Sequence, residues 1–309
     1  MQTYFVGTHR PWHLSQISSV RTPAGYVQLA AELDQIVDDE LRRLLFPFAQ
    51  QMFPTVPSLA RYRRLRGDAF PKAMSPYALD SGGFNQLALH GEYELTPDAH
   101  GGAVYRFAED LGMPPMWASP QDFMCEPDVI AKTGLTVWLH QQYTIDSLLY
   151  LREHFPHIWW IPVLQGWTIE DYLRHIEMYR AAGIDLTAED LVGVGSICRR
   201  DSVAEIISII TVLHSLGVRI HAFGVKRNSL PKIAHMIVSA DSLAWSRTAR
   251  DENLRLADCT AHQGTCQNCL RWALQWRLET LSKLVTPTQT GLDLEFLLPS
   301  QRTPRTLAF

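Results

Sequence analysis

The sequence predicts an α/β fold in which eight parallel strands close into a (β/α)8 barrel. Short and nearly continuous apolar runs recur along the chain, which is typical of strands that are buried on both faces of a parallel sheet. Helical patterns lie between these runs, as the crossovers of a parallel sheet require. With 309 residues, 46% of them hydrophobic, the chain is long enough to bury a large core.

Eight segments carry the strand pattern. The first, "TYFVG", stands near the start of the chain, and the longest apolar run is "IWWIPVL". The predicted strands span residues 3–7, 77–79, 115–118, 135–139, 158–164, 191–195, 219–225 and 235–240.

Two amphipathic helices are predicted between these strands, over residues 168–183 and 201–217. One opens on Thr168 and the other on Asp201, and both close on glycine, so cap chemistry supports their bounds. A doubly wound open sheet is the alternative fold. No Gly-x-Gly-x-x-Gly phosphate loop follows an early strand, which favours the barrel.

The N-terminal part of the chain has a different character. Residues 1–75, apart from strand 3–7, are expected to form an extension that packs around the barrel mouth. Its run "RYRRLR" (61–66) is interpreted as a solvated helix face or as a phosphate-contacting patch, together with Arg199 and Arg200. The barrel is expected over 76–257, and an irregular tail over 286–309.

Charge and hydropathy limit the classes of function. The formal net charge of −4 gives no overall basic character, so a nucleic-acid surface would have to be local. The chain begins with no charged and apolar leader, and its apolar runs are too short to span a bilayer. We therefore expect a cytoplasmic protein without a membrane partner.

Polar residues or glycines stand at the ends of the predicted strands, where a parallel barrel carries its catalytic groups. An aspartate in such a place is ordinarily the N-cap of the next helix, and this is the alternative for each position taken singly. Three aspartates beside a Gln-Gly pair and two glycine turns favour one shared pocket. The strand-end residues are Asp80, Ser81, Asp122, Gln165, Gly166, Gly195, Ser196, Gly224, Asp241 and Ser242.

Three of the five cysteines lie close together in "CTAHQGTCQNC", with a histidine among them. Their spacing, Cys-x2-His-x3-Cys-x2-Cys, supplies the four ligands of tetrahedral zinc and leaves no position for water. We predict a structural Zn²⁺ on Cys259, His262, Cys266 and Cys269, in a subdomain over 258–285 that includes the last helix. Clustered free thiols in a reducing compartment are the alternative.

The order of these motifs resembles the tRNA-guanine transglycosylase superfamily over roughly residues 76–285. The matching motifs are "DSGGF", an aspartate past the next strand, "PVLQG", "GVG", "FGV" and "ADSLAWSR", followed by the cysteine cluster. The resemblance implies a (β/α)8 barrel with a zinc subdomain. It also implies the exchange of a guanine in nucleic acid for a 7-deazaguanine base, without ATP or a redox cofactor.

The resemblance implies a role for each matching position. Asp241 matches the nucleophile that forms a covalent glycosyl intermediate, and Asp80 matches the general base that acts on the incoming base. Phe84 and Phe223 match the aromatic positions that cover the two faces of the purine. The other substrate-binding positions are Asp122 on the guanine edge, Gln165 and Gly166 on the purine carbonyl, Gly195 beside the 7-substituent, and Ser81, Gly224 and Arg247.

The chain departs from the tRNA enzymes at several positions. Asn85 is an extra residue in "FNQ", the spacing after Asp122 is one residue longer, and Ser196 stands where the family often has an acid. The histidine ligand lies inside the cysteine cluster rather than far beyond it. In these departures and in its compact length, the chain is more similar to the DpdA branch. Members of that branch insert 7-deazaguanines such as preQ0 into DNA.

The sequence therefore predicts a DNA guanine transglycosylase whose partners are DNA, a free 7-deazaguanine base and the proteins of a DNA-modification system. A tRNA transglycosylase with the same chemistry is the first alternative. The others are a catalytically silent family member that binds nucleic acid, and an unrelated zinc-stabilised barrel enzyme. The 7-substituent, the target sequence and the oligomeric state are left open by the sequence.

Overall fold

The computed structural model of the protein describes residues 1, 3–8, 10, 12–16, 52–66, 72–73, 76–257, 259, 262–281 and 283–284. Within these residues, six strands form a parallel sheet in the order β2-β1-β6-β5-β4-β3. The α/β class and the parallel sheet are therefore confirmed. The strands are β1 (Thr3–Thr8), β2 (Met52–Pro54), β3 (Val163–Leu164), β4 (Val192–Val194), β5 (Ile220–Ala222) and β6 (Ser239–Ser242).

Helices connect the strands, and the two helices predicted best are confirmed within a few residues. The N-cap of α7 is a capping box in which Thr168 and Asp171 each bond the other's backbone N–H, while α8 begins after Ser202. The helices are α1 (His13–Gln16), α2 (Val56–Arg66), α3 (Gly83–His90), α4 (Pro97–Leu111), α5 (Pro127–Thr133), α6 (Val137–His154), α7 (Ile169–Ala181), α8 (Val203–Ser215), α9 (Leu230–Ile233), α10 (Ala244–Asp251) and α11 (Leu270–Leu281).

Isolated parallel bridges continue the sheet beyond β2. Thr55, which follows β2, pairs with Asp80; Leu79 pairs with Ala118; and Ala118 pairs with Trp160. The predicted strands at 77–79 and 115–118 are thus present as single bridges. Trp160 lies shortly before β3 in the chain, so the bridges lead back to the other edge strand.

Two elements differ in kind from the sequence prediction, and the strand predicted over 235–240 is observed later in the chain, as β6 (Ser239–Ser242). The predicted strand at 135–139 is wrong, because these residues lead into α6, where Thr136 caps the first turn by accepting the Leu139 N–H at 3.2 Å. The cap and the long helical pattern that follows outweigh five strand-like residues. Conversely, β2 lies inside the predicted extension and pairs with β1, but its three residues end on proline and carry little strand signal.

The buried apolar side chains fall into one large cluster and smaller ones. In β1, Tyr4 and Val6 belong to the large cluster, whereas Phe5 belongs to a small one, because successive side chains point to opposite faces. The small cluster draws one residue from each of five segments: Phe5, Ala78, Trp117, Ile161 and Leu191.

Parts of the predicted organisation fall outside the described residues. These are most of the extension between residues 17 and 51, the tail at 286–309, and the side chains of 62–66; Arg61 is exposed. The domain boundaries therefore stay predictions. Within the part of the chain that the structure describes, no helix is both long enough and apolar enough to cross a membrane.

Candidate active site and metal cluster

A chain of hydrogen bonds connects the ends of three sheet segments. The Ser81 hydroxyl donates to one Asp122 carboxylate oxygen at 2.6 Å, and the Gln165 side-chain amide donates to the other at 2.6 Å. Tyr93 donates its hydroxyl proton to the backbone carbonyl of Asp122 at 2.8 Å. Burial raises the pKa of Asp122, and the bonds from Ser81 and Gln165 act against that rise.

The same chain of bonds continues from Gln165 to a glutamate that the sequence analysis missed. The Ser196 hydroxyl lies 2.7 Å from the side-chain oxygen Oε1 of Gln165 and 2.9 Å from Glu126 Oε2. It also accepts the Cys125 N–H at 2.8 Å. We call Ser81, Asp122, Gln165, Ser196 and Glu126 the Asp122 network.

The Asp122 network favours the protonated form of Glu126. Ser196 has one hydroxyl proton for two oxygens, the Gln165 side-chain oxygen and Glu126 Oε2, so a proton on Glu126 would satisfy the second contact. Burial raises the pKa of Glu126, which favours that proton. Glu126 Oε1 is buried and has no hydrogen-bond partner among the residues that the structure describes. The sequence shows only an acid before Pro127, at the N-cap of α5, which does not by itself indicate a site.

Gly195 permits the close approach of Gln165 to this network. A Cβ at Gly195 would come within 2.2 Å of the Gln165 amide nitrogen, so any larger residue would displace the amide. The backbone carbonyl of Gly195 accepts the Tyr172 hydroxyl at 2.7 Å. Gly166, which follows Gln165, offers its carbonyl to the buried Arg200 at 3.4 Å.

Asp80 carries a carboxyl group that favours its proton. Burial is the main cause of a pKa well above the usual range, and the charges of Asp122 and Asp241 add to the rise. Backbone N–H groups of Gly82 and Ser81 act in the opposite direction. Ser81, the residue after Asp80, bonds Asp122 directly.

Asp241 lies in β6, opposite Phe5 of β1. The Gly224 N–H donates to Asp241 Oδ1 at 2.8 Å, and Gly224 adopts the left-handed φ of 61° that this turn needs. His221 Nε2 lies 3.5 Å from the same oxygen, and His221 Nδ1 lies 2.8 Å from Ser239 Oγ. We call His221, Gly224, Ser239 and Asp241 the Asp241 cluster.

The predicted aromatic positions lie in different surroundings. Phe84 is 39% exposed, and the Arg199 guanidinium, which also pairs with Asp128, lies 5.0 Å above its ring. Phe223 packs edge-on to His221, with ring centroids 4.7 Å apart.

Arg247 is the predicted site residue that the structure does not bring to the others. Its side chain is 79% exposed and bonds Asp251 one turn along α10 at 3.2 Å.

The predicted zinc ligands converge in space. The ligand atoms of Cys259, His262, Cys266 and Cys269 all lie within 4.8 Å of one another. Zn–S bonds of about 2.3 Å in tetrahedral geometry place two sulfur atoms about 3.8 Å apart, and the sulfur atoms of Cys259 and Cys269 are 3.8 Å apart. The donor set and its spacing therefore fit a metal ion such as zinc.

Two thiols of this cluster, Cys266 and Cys269, favour their protonated form when no cation is nearby. Burial raises the pKa of Cys269 to about 12, and the neighbouring Cys266 and Cys259 add to the rise. A bound dication removes this penalty, because the thiolate is the ligand form.

Contacts connect the metal cluster to β1, which pairs with the strand that carries Asp241. The Trp272 indole of α11 donates to the Trp245 carbonyl at 2.8 Å, and the Trp245 indole donates to the Gly7 carbonyl in β1 at 2.9 Å. Buried Arg277 of α11 donates to the Tyr4 carbonyl at 2.6 Å. The loop that carries the ligands is thus fixed to β1, which pairs with β6.

Comparisons with known proteins give one family match. A family model described as "DpdA: DeoxyPurine in DNA protein A" matches residues 49–292, which is more than half of the chain. No curated protein matches. A crystal structure from Sinorhizobium meliloti titled "putative isomerase" matches with 10% identity and a TM-score of 0.33, over 78% of this chain and 50% of that chain. That similarity is too weak to support an argument, and this chain spans only half of the matched chain.

Proposed function

We propose a function from one premise: the chain belongs to the DpdA family. The description of that family names a deoxypurine in DNA. On this basis we assign the chain as a transglycosylase that exchanges guanine in DNA for a free 7-deazaguanine base. The observation that carries the proposal is the placement of three aspartates on one sheet: Asp80 is bridged to Thr55, Asp122 is bonded by Ser81, and Asp241 lies in β6.

We propose further that the sheet closes into a (β/α)8 barrel. The six-stranded order and the three bridges support this, because together they lead from β2 through residues 77–80 and 116–118 to the edge at β3. The small apolar cluster with residues from five segments supports a common interior. Eight segments then surround the site. They include β2 in place of the strand predicted at 135–139.

The Asp122 network has the chemistry to read a guanine edge. Asp122 offers only acceptors when ionised, which suits the N1–H and N2–H donors of guanine, and the Gln165 amide can donate to O6. A 7-deazaguanine presents the same edge, so both bases can occupy one site. Phe84 and Phe223 supply aromatic rings for the two faces of the flipped base.

Asp241 and Asp80 supply the two chemical roles of the exchange. Asp241 attacks C1′ of the nucleotide; the C1′–N9 bond breaks, and its electron pair remains on guanine, which takes up a proton from Asp80. The incoming base then gives its N9 proton to the Asp80 carboxylate and attacks C1′, which returns the electron pair of the ester bond to Asp241. The raised pKa of Asp80 supports its first role as an acid.

The metal in this proposal is a structural Zn²⁺ held by Cys259, His262, Cys266 and Cys269. Four protein ligands leave no open position for a substrate, so the ion stabilises the loop. Its effect on the chemistry is indirect, through the contacts of α11 with β1.

Label incorporation tests the function. The protein is incubated with radiolabelled preQ0 or guanine and with duplex DNA, single-stranded DNA or tRNA, and label is counted in the nucleic acid. We expect label in DNA. Label only in tRNA would favour the tRNA enzyme, whereas base binding without label in any nucleic acid would favour a silent binding protein. The cytoplasmic location and the partner proteins stay predictions.

A further inference from the structure

A buried histidine, His221, lies at the centre of the sheet beside Asp241, the predicted nucleophile. His221 is the middle residue of β5, is 0% exposed, and pairs in register with Ser239 of β6. Three aromatic rings surround it edge-on, with centroids 5.9 Å away for Phe5 and 4.7 Å away for Trp117 and Phe223. A polar residue in this apolar environment needs partners for both ring nitrogens.

Both nitrogens of His221 face a polar group. Nδ1 lies 2.8 Å from the Ser239 hydroxyl, and Nε2 lies 3.5 Å from Asp241 Oδ1. A hydroxyl can donate to Nδ1, whereas a carboxylate can only accept. A neutral ring with its proton on Nε2 satisfies both contacts. Burial lowers the pKa of His221, in agreement with a neutral ring.

This tautomer directs a second N–H toward one oxygen of Asp241. Oδ1 already accepts the Gly224 N–H at 2.8 Å, and His221 Nε2 approaches the same oxygen at 3.5 Å, which is longer than an ordinary hydrogen bond. The terminal torsion of an aspartate is broad, and an unrestrained carboxylate samples many orientations. Two donors on Oδ1 restrict that rotation and leave Oδ2 for the substrate.

We infer that His221 is a positioning residue for Asp241: with Gly224 it fixes the carboxylate so that Oδ2 attacks C1′. The inference rests on the proposed function, since it assumes that Asp241 is the nucleophile. A neutral donor suits this task, because a cationic imidazole would form an ion pair and weaken the nucleophile. His221 touches neither the base nor the sugar in this role.

Two amide variants separate the two contacts of the ring. In His221→Gln the side-chain amide reaches about the position of Nε2, and in His221→Asn it reaches about the position of Nδ1. Each is neutral and polar, so each serves as the other's control. We expect the single-turnover rate of covalent adduct formation to fall about tenfold or more in H221N, and by about threefold or less in H221Q.

The affinity for free preQ0 distinguishes positioning from general damage. Both variants should bind the base within about twofold of the parent protein, because the Asp122 network is intact. Equal adduct rates in the two variants would overturn the inference. So would a loss of base affinity that parallels the loss of rate.

A measurement without catalysis tests the geometry by itself. In ¹⁵N-labelled protein, long-range ¹H–¹⁵N correlations report the tautomer of each histidine, and the signal that disappears in H221Q belongs to His221. We expect the neutral Nε2–H form at neutral pH and a shift of its Nε2 signal in Asp241→Asn. An Nδ1–H tautomer or an imidazolium would overturn the inference. If the parent protein forms no adduct, the proposed function fails, and this spectrum still decides whether His221 donates to Asp241.

Discussion

The Asp122 network and the Asp241 cluster are held in place in different ways. In the Asp122 network, each side chain bonds at least one other side chain of the network, in one continuous chain of contacts. In the Asp241 cluster, one carboxylate oxygen depends on a backbone N–H and a single histidine. Redundant contacts tolerate single losses, whereas few contacts do not. We therefore expect substitutions in the Asp122 network to have graded effects on base binding. Substitutions in the Asp241 cluster should abolish most of the chemistry.

The largest effect is expected from Asp241→Asn. An amide is a poor nucleophile, so the rate of adduct formation should fall by about 10⁴-fold or more, while preQ0 affinity changes little. Denaturing gels with labelled DNA measure the adduct. Asp251→Asn, an exposed aspartate on α10, is the matched control and should behave like the parent protein. An adduct that persists in D241N would assign the nucleophile to another residue.

Asp80→Asn should have the next largest effect. An amide cannot carry the proton in either direction, so exchange should slow by about 10²–10⁴-fold. In the parent protein the pKa of Asp80 is raised, so the acid form is present below that pKa and the first step should slow as pH rises through it. The falling limb of the pH–rate profile should be absent in D80N. A retained limb would assign it to another group.

The same substitution has a predictable effect on folding. Because the pKa of Asp80 is raised above its ordinary 3.8, the folded state binds the extra proton, and stability falls as pH rises from the unfolded to the folded pKa. D80N removes this cost. We expect the melting temperature at neutral pH to increase by about 2 °C for each kcal/mol recovered, and the gain to disappear in acid. A lower melting temperature would contradict the burial argument.

Asp122→Asn tests the redundancy of the Asp122 network. One acceptor oxygen becomes a donor, which replaces either the oxygen that accepts from Ser81 or the oxygen that accepts from Gln165. We expect preQ0 affinity to weaken by about 10–100-fold, with a smaller change in the rate at saturating base. Calorimetry and single-turnover rates measure the two separately. A rate loss as large as that of D241N would show that the two sides of the site are not distinct.

Cys266→Ser should reduce adduct formation at Asp241 more than base binding by the Asp122 network. The protein should lose about one zinc per chain, together with stability, because the ligand loop is fixed to β1 and hence to β6. Under conditions where the variant folds, adduct formation should fall several-fold more than base affinity. Cys198→Ser, which removes a thiol outside the cluster, is the control. Full zinc occupancy in C266S would rule out the ligand set.

The smallest effect is expected from Glu126→Gln. If Glu126 carries a proton, glutamine preserves its donor to Ser196, and base affinity should stay within about threefold of the parent value. Glu126→Ala removes the donor and should weaken binding by more. If E126Q were as damaging as E126A, the ionised carboxylate would be the functional form.

Parts of the fold could be predicted because local signals agree with the tertiary structure. The continuous apolar runs of β4 and β5 and the capped pattern of α7 are such cases. The strand predicted at 135–139 was wrong because the five-residue pattern covers only the start of a helix of eighteen residues. β2 was missed because three residues ending on proline acquire their strand character only by pairing with β1.

The candidate site was predictable where polar residues end apolar strands, as Asp80, Gln165 and Asp241 do; their roles stay predictions. His221 and Glu126 were not found, because their contacts depend on distant partners. Ser196 meets Glu126 across 70 positions of the chain, and His221 reaches Asp241 through the register of β5 and β6. The spacing of residues along the sequence indicates neither the Ser196–Glu126 contact nor the His221–Asp241 contact.

The pairing of β1 with β6 has a consequence for synthesis on the ribosome. The Trp245 indole bonds the Gly7 carbonyl across 238 positions, and Phe5 faces Asp241. At about 5–20 residues per second, β1 waits on the order of 10–50 s after its own translation before β6 is made. Until then one edge of β1 is unpaired and open to wrong partners. The site is therefore assembled late in translation, and nascent chains that stop before β6 are a natural target for chaperones.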